Sequence, residues 1–217
     1  MKQQYFCFNA AVIIIAMSLA GSVNAHQAPD TVFGLEINAP PSIPECHIDK
    51  KWGYQRPSNG ACYKREGGVE VTMFSHKFVY RDGPLGDEKL EIIFANGQEP
   101  ASFSYIVVYT RSGKVAFLQA ETGGISTQAH DLAQVTEKFG EPTRLRVKTV
   151  QNNMGVEYEG LIAEWELPSK TYVRLESPAT GVGSRGVDKG YLVVQSATWR
   201  EEVKARQQAE DAARTGL

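Results

Sequence analysis

The sequence predicts an α+β protein: an antiparallel sheet of seven or more short strands, one packed helix at about 126–139 and a C-terminal helix at about 199–213. Three observations predict it. Short runs rich in β-branched and aromatic residues recur along the chain and are separated by Gly-, Pro- and Ser-containing turns. One segment carries an apolar stripe at helical spacing, with start and stop signals at its ends. The closing stretch, TWREEVKARQQAEDAARTGL, is Ala-rich and charged in the manner of a surface helix.

The elements follow in order. Lys2, an apolar run from Tyr5 to Ala20, and small residues at Val23-Asn24-Ala25 describe a secretory signal peptide over 1–25. The run is short for a membrane span, which needs roughly 20 residues. No lipobox precedes Cys7, so neither a lipid anchor nor a transmembrane segment is expected in the mature chain. Cleavage leaves residues 26–217 as one exported α+β domain, with 33–110 and 111–198 as candidate halves and 199–217 as a helical tail. FGLEINAPPSIPEC (33–46) holds Pro40, Pro41 and Pro44, which exclude a long helix; an extended course pinned at Cys46 is expected. VEVTMF, HKFVY, LEIIFA (90–95), FSYIVVYT (103–110) and KVAFLQA (114–120) read as strands, the fourth of them buried and the last two joined in a hairpin by Ser112-Gly113. In the helix, Ser126 or Thr127 is expected to cap the first amides, Asp131 falls in the first turn, and Leu132, Val135 and Phe139 form the stripe. Gly140 and Pro142 end it. RLRVKTV, GLIAEWEL, TYVRLES and GYLVVQSA read as further strands. In the final helix Glu202 with Arg206 and Glu210 with Arg214 are favourable i, i+4 pairs, and Trp199 and Val203 are its apolar contacts. Its outer half is expected to be solvated.

GVGSRG (181–186) matches the dinucleotide fingerprint letter for letter. That fingerprint requires a helix after it to receive the pyrophosphate, and here YLVVQSA follows, which reads as strand. The glycines are therefore assigned to a strand-to-strand loop, and no nucleotide or other cofactor is expected.

The mature chain has 22 basic and 25 acidic side chains, a net charge of −3, which argues against general nucleic-acid or membrane-surface binding. Its two cysteines, Cys46 and Cys62, are expected to form a structural disulfide in an oxidising compartment, the periplasm or the extracellular space. The loop they close gathers Lys50, Lys51, Trp52, Tyr54 and Arg56. Trp, Tyr and Arg dominate protein interfaces, and pinning lowers the entropy lost on binding, so this loop is the candidate binding surface; folding back onto the sheet is the alternative.

Chemistry-bearing constellations are sparse. His76 alternates with Phe74, Phe78 and Tyr80 and reads as a packed histidine; His130 and Asp131 point apart and read as surface residues. No G-x-S-x-G or H-E-x-x-H occurs. A copper site is the alternative function: a mature N-terminus at His26 offers its amine and ring together, with His47, His76 or His130 as the second ligand. That arrangement resembles copper-dependent polysaccharide monooxygenases and periplasmic copper carriers.

FGLEINAPPSIPEC followed by ACY resembles the opening of exported proteobacterial proteins of uncharacterised function. LAQVTEKFGEPT, followed by GLIAEWEL and TYVRLES, is similar to the unit of β-lactamase-inhibitor-like and outer-membrane-assembly-lipoprotein-like domains: a helix, "FGxP", a strand with Trp, then another strand. The proline-rich opening stands where a first copy of the unit would place its helix. The resemblance implies a helix packed on an antiparallel sheet that binds other proteins without catalysis. The expectation is thus a non-enzymatic periplasmic or secreted protein whose partner is another protein.

Overall fold

The structure, a computed structural model, describes residues 30–49, 53–66, 69–73, 76–80, 83–152, 154–179 and 187–215. The leader over 1–25, His26, the loop residues Lys50, Lys51 and Trp52, and the GVGSRG segment lie outside them. The fold is α+β, with an eight-stranded antiparallel sheet, small two-stranded sheets and two helices. No helix among the described residues is long and apolar enough to cross a membrane.

The chain begins with a hairpin of β1 (Thr31–Val32) and β2 (Leu35–Glu36). Its two-residue turn is Phe33-Gly34, at φ 52° and 79°. An extended segment then crosses the domain. Asn38 and Ala39 exchange backbone hydrogen bonds with Val115 (2.8 and 2.9 Å), and Pro44 and Cys46 do the same with Tyr63 (3.0 and 2.8 Å). The expected course of 33–46 is thus realised, and the three prolines fit it because no helical amide is required of them. The Cys46–Cys62 disulfide closes beside the last of these contacts.

β3 (Ile48–Asp49) and β4 (Gly53–Tyr54) form a small hairpin inside the disulfide loop. β5 (Ala61–Glu66) enters the main sheet, β6 (Val69–Met73) and β7 (His76–Tyr80) make a separate hairpin, and β8 (Lys89–Phe94) returns to pair with β5. β9 (Ser104–Arg111) and β10 (Lys114–Thr122) form the expected hairpin. After a 3-10 turn at Gly124–Ser126 comes helix α1 (Gln128–Phe139). β11 (Arg144–Gln151), β12 (Glu157–Glu166), β13 (Tyr172–Ser177) and β14 (Gly190–Gln195) follow, and α2 (Ala197–Thr215) ends the described chain.

The strand order is β5-β8-β9-β10-β14-β13-β12-β11. It consists of two four-stranded antiparallel runs that meet where the last strand of each, β10 and β14, pair along their length. Alternation, with the register shift between Val115 and Phe117, places Ile106 and Val108, Val115 and Leu118, Val173 and Leu175, and Leu192 and Val194 on one face, all essentially buried. Over β12 and β13 that face is covered by α1, whose Val135 is buried and whose Leu132 and Phe139 pack at its sides. The N-terminal segment contributes Val32, Leu35 and Ile37 to the same core. The extended opening thus supplies cover of the kind a helix supplies elsewhere.

Residues flanking the glycine loop settle its context. β13 and β14 are antiparallel neighbours, and the Ala179 amide donates to the Lys189 carbonyl at 2.8 Å. The element after the glycines is therefore a strand, β14. Gly124, at φ 62°, lies against the far end of this connection; a Cβ there would stand 2.3 Å from the Val187 carbonyl oxygen, so a side chain has no room.

Three local expectations are corrected. Thr127 stands at the N-cap, but at φ −113° and ψ −6° it lacks the extended geometry that aims a cap oxygen at the first amides. Its hydroxyl donates instead to Asp131 Oδ2 at 2.7 Å, while Ser126 donates to the Gly123 carbonyl. Asp131, expected at the surface, is fully buried because its carboxylate turns inward to take that hydroxyl, whereas His130 is exposed. Glu202, expected to pair with Arg206, accepts from Arg111 Nε at 2.9 Å and so fastens α2 to the sheet.

Candidate functional site

The disulfide loop and the β8–β9 connection build one surface. Arg56 Nη1 donates to Asn96 Oδ1 at 2.9 Å and to Glu99 Oε1 at 2.6 Å. The Gly60 amide donates to Gln98 Oε1 at 2.6 Å, and Gln98 Nε2 donates to Asn59 Oδ1 at 2.8 Å. A sharp turn through Gly97, at φ 74°, lets residues 96–99 face the loop, and the Gly97 amide fixes the other oxygen of Glu99 at 2.8 Å. Backbone hydrogen bonds, and after them Arg56, hold the Glu99 carboxyl below the ordinary 4.5. The ion pair is about half-exposed on both sides (49% and 47%), so it orders the surface more than it stabilises the fold.

Beside this pair runs a groove of about 340 Å³ whose walls include Arg56, Glu99, Ile93, Phe94, Phe103 and Tyr105. Tyr105 is 50% exposed, and its φ is 41°. Left-handed backbone at a tyrosine costs on the order of 1 kcal/mol. It arises because the β9–β10 register shifts between Gln119 and Glu121, so that Glu121 opposes Ser104 and Tyr105 is pushed out of regular strand geometry. The expectation of a buried strand over FSYIVVYT fails at Ser104 and Tyr105, whereas Phe103 is buried. Parity gave no signal of this, since Val107 shares the parity of Tyr105 and is buried.

Of the five loop residues proposed from sequence, two are described. Arg56 is exposed and joined to Glu99. Tyr54 is half-buried beside a charge cluster at the foot of the loop, in which Arg65 Nε lies 3.4 Å from Glu45 and 3.6 Å from Glu88. Burial, then the neighbouring Glu45 carboxylate, pushes the Tyr54 and Tyr63 phenols above their ordinary 10.0. Arg65 also donates to the Gly83 carbonyl at 2.7 Å. With Arg65 and Glu88 almost entirely buried, this cluster ties β5 to the N-terminal segment and to the start of β8.

The histidines are dispersed. His47 is exposed just before β3, His130 is exposed in α1, His76 falls in β7, and His26 lies outside the described residues. No group of three or more His, Cys, Asp or Glu able to hold a metal occurs among the described residues. Comparison of the chain with protein-family models, with curated proteins and with solved structures returns no match.

Proposed function

We propose that the chain is an exported, non-enzymatic binding protein of the periplasm or extracellular space that acts through contacts with another protein. The observation that carries this reading is the pairing of a preset Arg56 with a protruding Tyr105 across an apolar-floored groove. Arginine and tyrosine are favoured as binding anchors, and side chains already ordered lose little entropy on docking. The candidate loop residues Lys50, Lys51 and Trp52 belong to the same disulfide-closed segment. The disulfide supports an oxidising compartment. The resemblance of residues 132–177 to helix-on-sheet domains that bind proteins supports the same role.

A photo-crosslinking side chain placed at Tyr105 or at Trp52 in the producing cell tests it. A discrete heavier adduct from these positions, and none from exposed Lys114, is the expected result. No adduct from either position removes the assignment. Intact mass of the recovered protein checks its export: the expected species begins at His26 and carries the two-hydrogen deficit of the disulfide.

A further inference from the structure

The two edges of the eight-stranded sheet differ. Along β5 the edge is occupied, because Pro44–Cys46 hydrogen-bonds to Tyr63 and Glu45 forms a parallel bridge with it. β11 is the other edge. It pairs with β12 over eight successive residues without a bulge, and among the described residues no strand lies on its other side. An edge of that length is a template for another strand.

Its two faces say what kind of strand. On the core side, Leu145 and Val147 are 53% and 67% exposed, because α1 lies over β12 and β13 and stops short of the edge. On the opposite side, Arg144, Arg146, Lys148 and Arg174 surround two carboxylates, Glu164 and Glu176. Four cations against two anions leave a surplus of positive charge, and Arg144 and Arg146 are the exposed members (66% and 49%). A second copy of β11 continuing the same faces would set these cations against one another, which is destabilising.

We propose that β11 accepts, as a ninth strand, an extended segment of another protein in which acidic and apolar residues alternate. Main-chain hydrogen bonds along the edge would supply affinity; carboxylates facing Arg144 and Arg146, and apolar side chains over Leu145 and Val147, would supply selection. This surface is separate from the Arg56–Tyr105 groove and stands without it.

The probe is a labelled, end-blocked octapeptide alternating Glu and Val, titrated into the full chain at low salt and followed by fluorescence anisotropy. The expected result is saturable binding that weakens with added salt, is lost when alternate peptide nitrogens are methylated, and is accompanied by slowed amide exchange in 144–151. Arg144→Glu with Arg146→Glu should weaken it by at least about tenfold. Arg146→Gln, which adds no repulsion, should weaken it less, and circular dichroism confirms that each variant is folded. Equal binding of the Lys–Val octapeptide, no binding of the Glu–Val one, or binding without protection in 144–151 would overturn the proposal. So would a dimer of the unliganded chain already protected in that segment.

Discussion

Trp165 ties the helix to the sheet. It is 1% exposed, and its Nε1–H donates to the Gly140 carbonyl at 2.8 Å, the residue that ends α1 at φ 79°. Trp165→Phe keeps an aromatic ring but leaves that carbonyl without its indole donor, and should cost about 2 kcal/mol in denaturant unfolding. Trp165→Ala, which also opens a cavity, should cost about 3–5 kcal/mol. Equal losses for the two would mean that the shared loss of the indole hydrogen bond carries the cost and that the cavity adds nothing. The Phe139-Gly140-x-Pro142 turn and the tryptophan strand were both visible in the sequence; the hydrogen bond joining them was not, because no local pattern aligns residues 25 positions apart. Titration sets a second expectation at this scale. Burial raises Tyr54, Tyr63 and Tyr172 above 10.0, with Glu45 as the next cause for the first two and the hydrogen bond to Glu164 for the third. The unfolded chain loses these protons first, so their contribution is complete below pH 10.0 and is lost as pH rises through the folded values. Tyrosinate absorbance should show a class that ionises late, and urea midpoints should fall on the alkaline side of pH 10.0. Coincident ionisation of all tyrosines near the ordinary value would contradict the burial of these three.

At the scale of elements, the N-terminal segment was legible through its prolines and the β9–β10 hairpin through Ser112-Gly113. The cap of α1 was not, since Thr127 and Asp131 satisfy each other only after a 3-10 turn has set their approach. Tyr105 was hidden for a related reason: a bulge in β9 between Ser104 and Val107, opposite Gln119–Glu121, sets its backbone, and residue spacing along β9 carries no trace of it. The disulfide joins the sequence reading to the candidate surface. The bond spans a separation of 16 residues and fastens the extended segment at the occupied edge of the sheet. Cys46→Ala with Cys62→Ala should lower the unfolding free energy by roughly 3 kcal/mol, the chain-entropy value for a loop of this size. The same variant should raise amide exchange in 53–60 before the rest of the sheet opens, because Arg56 and Gly60 hold their partners from within that loop. Uniform loosening of the whole molecule would instead mean that the bond supports the core directly.

The whole molecule is a sheet covered differently on its two faces, and α2 tests how far that cover extends. Its first turn is anchored on the face opposite α1. Trp199 packs on Phe117 and Tyr109 with ring centroids 5.1 and 5.4 Å apart, Arg111 lies 4.5 Å over its ring, and Arg200 lies 4.6 Å over Tyr172. From Lys204 to Arg214 every residue is exposed. A helix with no buried face past its first turns draws its stability from propensity and local charge pairs, each worth a few tenths of a kcal/mol. Deleting residues from 208 onward should therefore shift the unfolding free energy by less than about 0.5 kcal/mol. Trp199→Ala should cost about 3 kcal/mol, since it removes a buried indole and the cation stacked on it. Thermal unfolding of the two variants beside the parent separates an anchored stub from a helix docked along its length. A loss of more than about 1 kcal/mol on truncation would mean that the outer turns of α2 have a partner, and the exposed half of the helix would then have to be read as an interface.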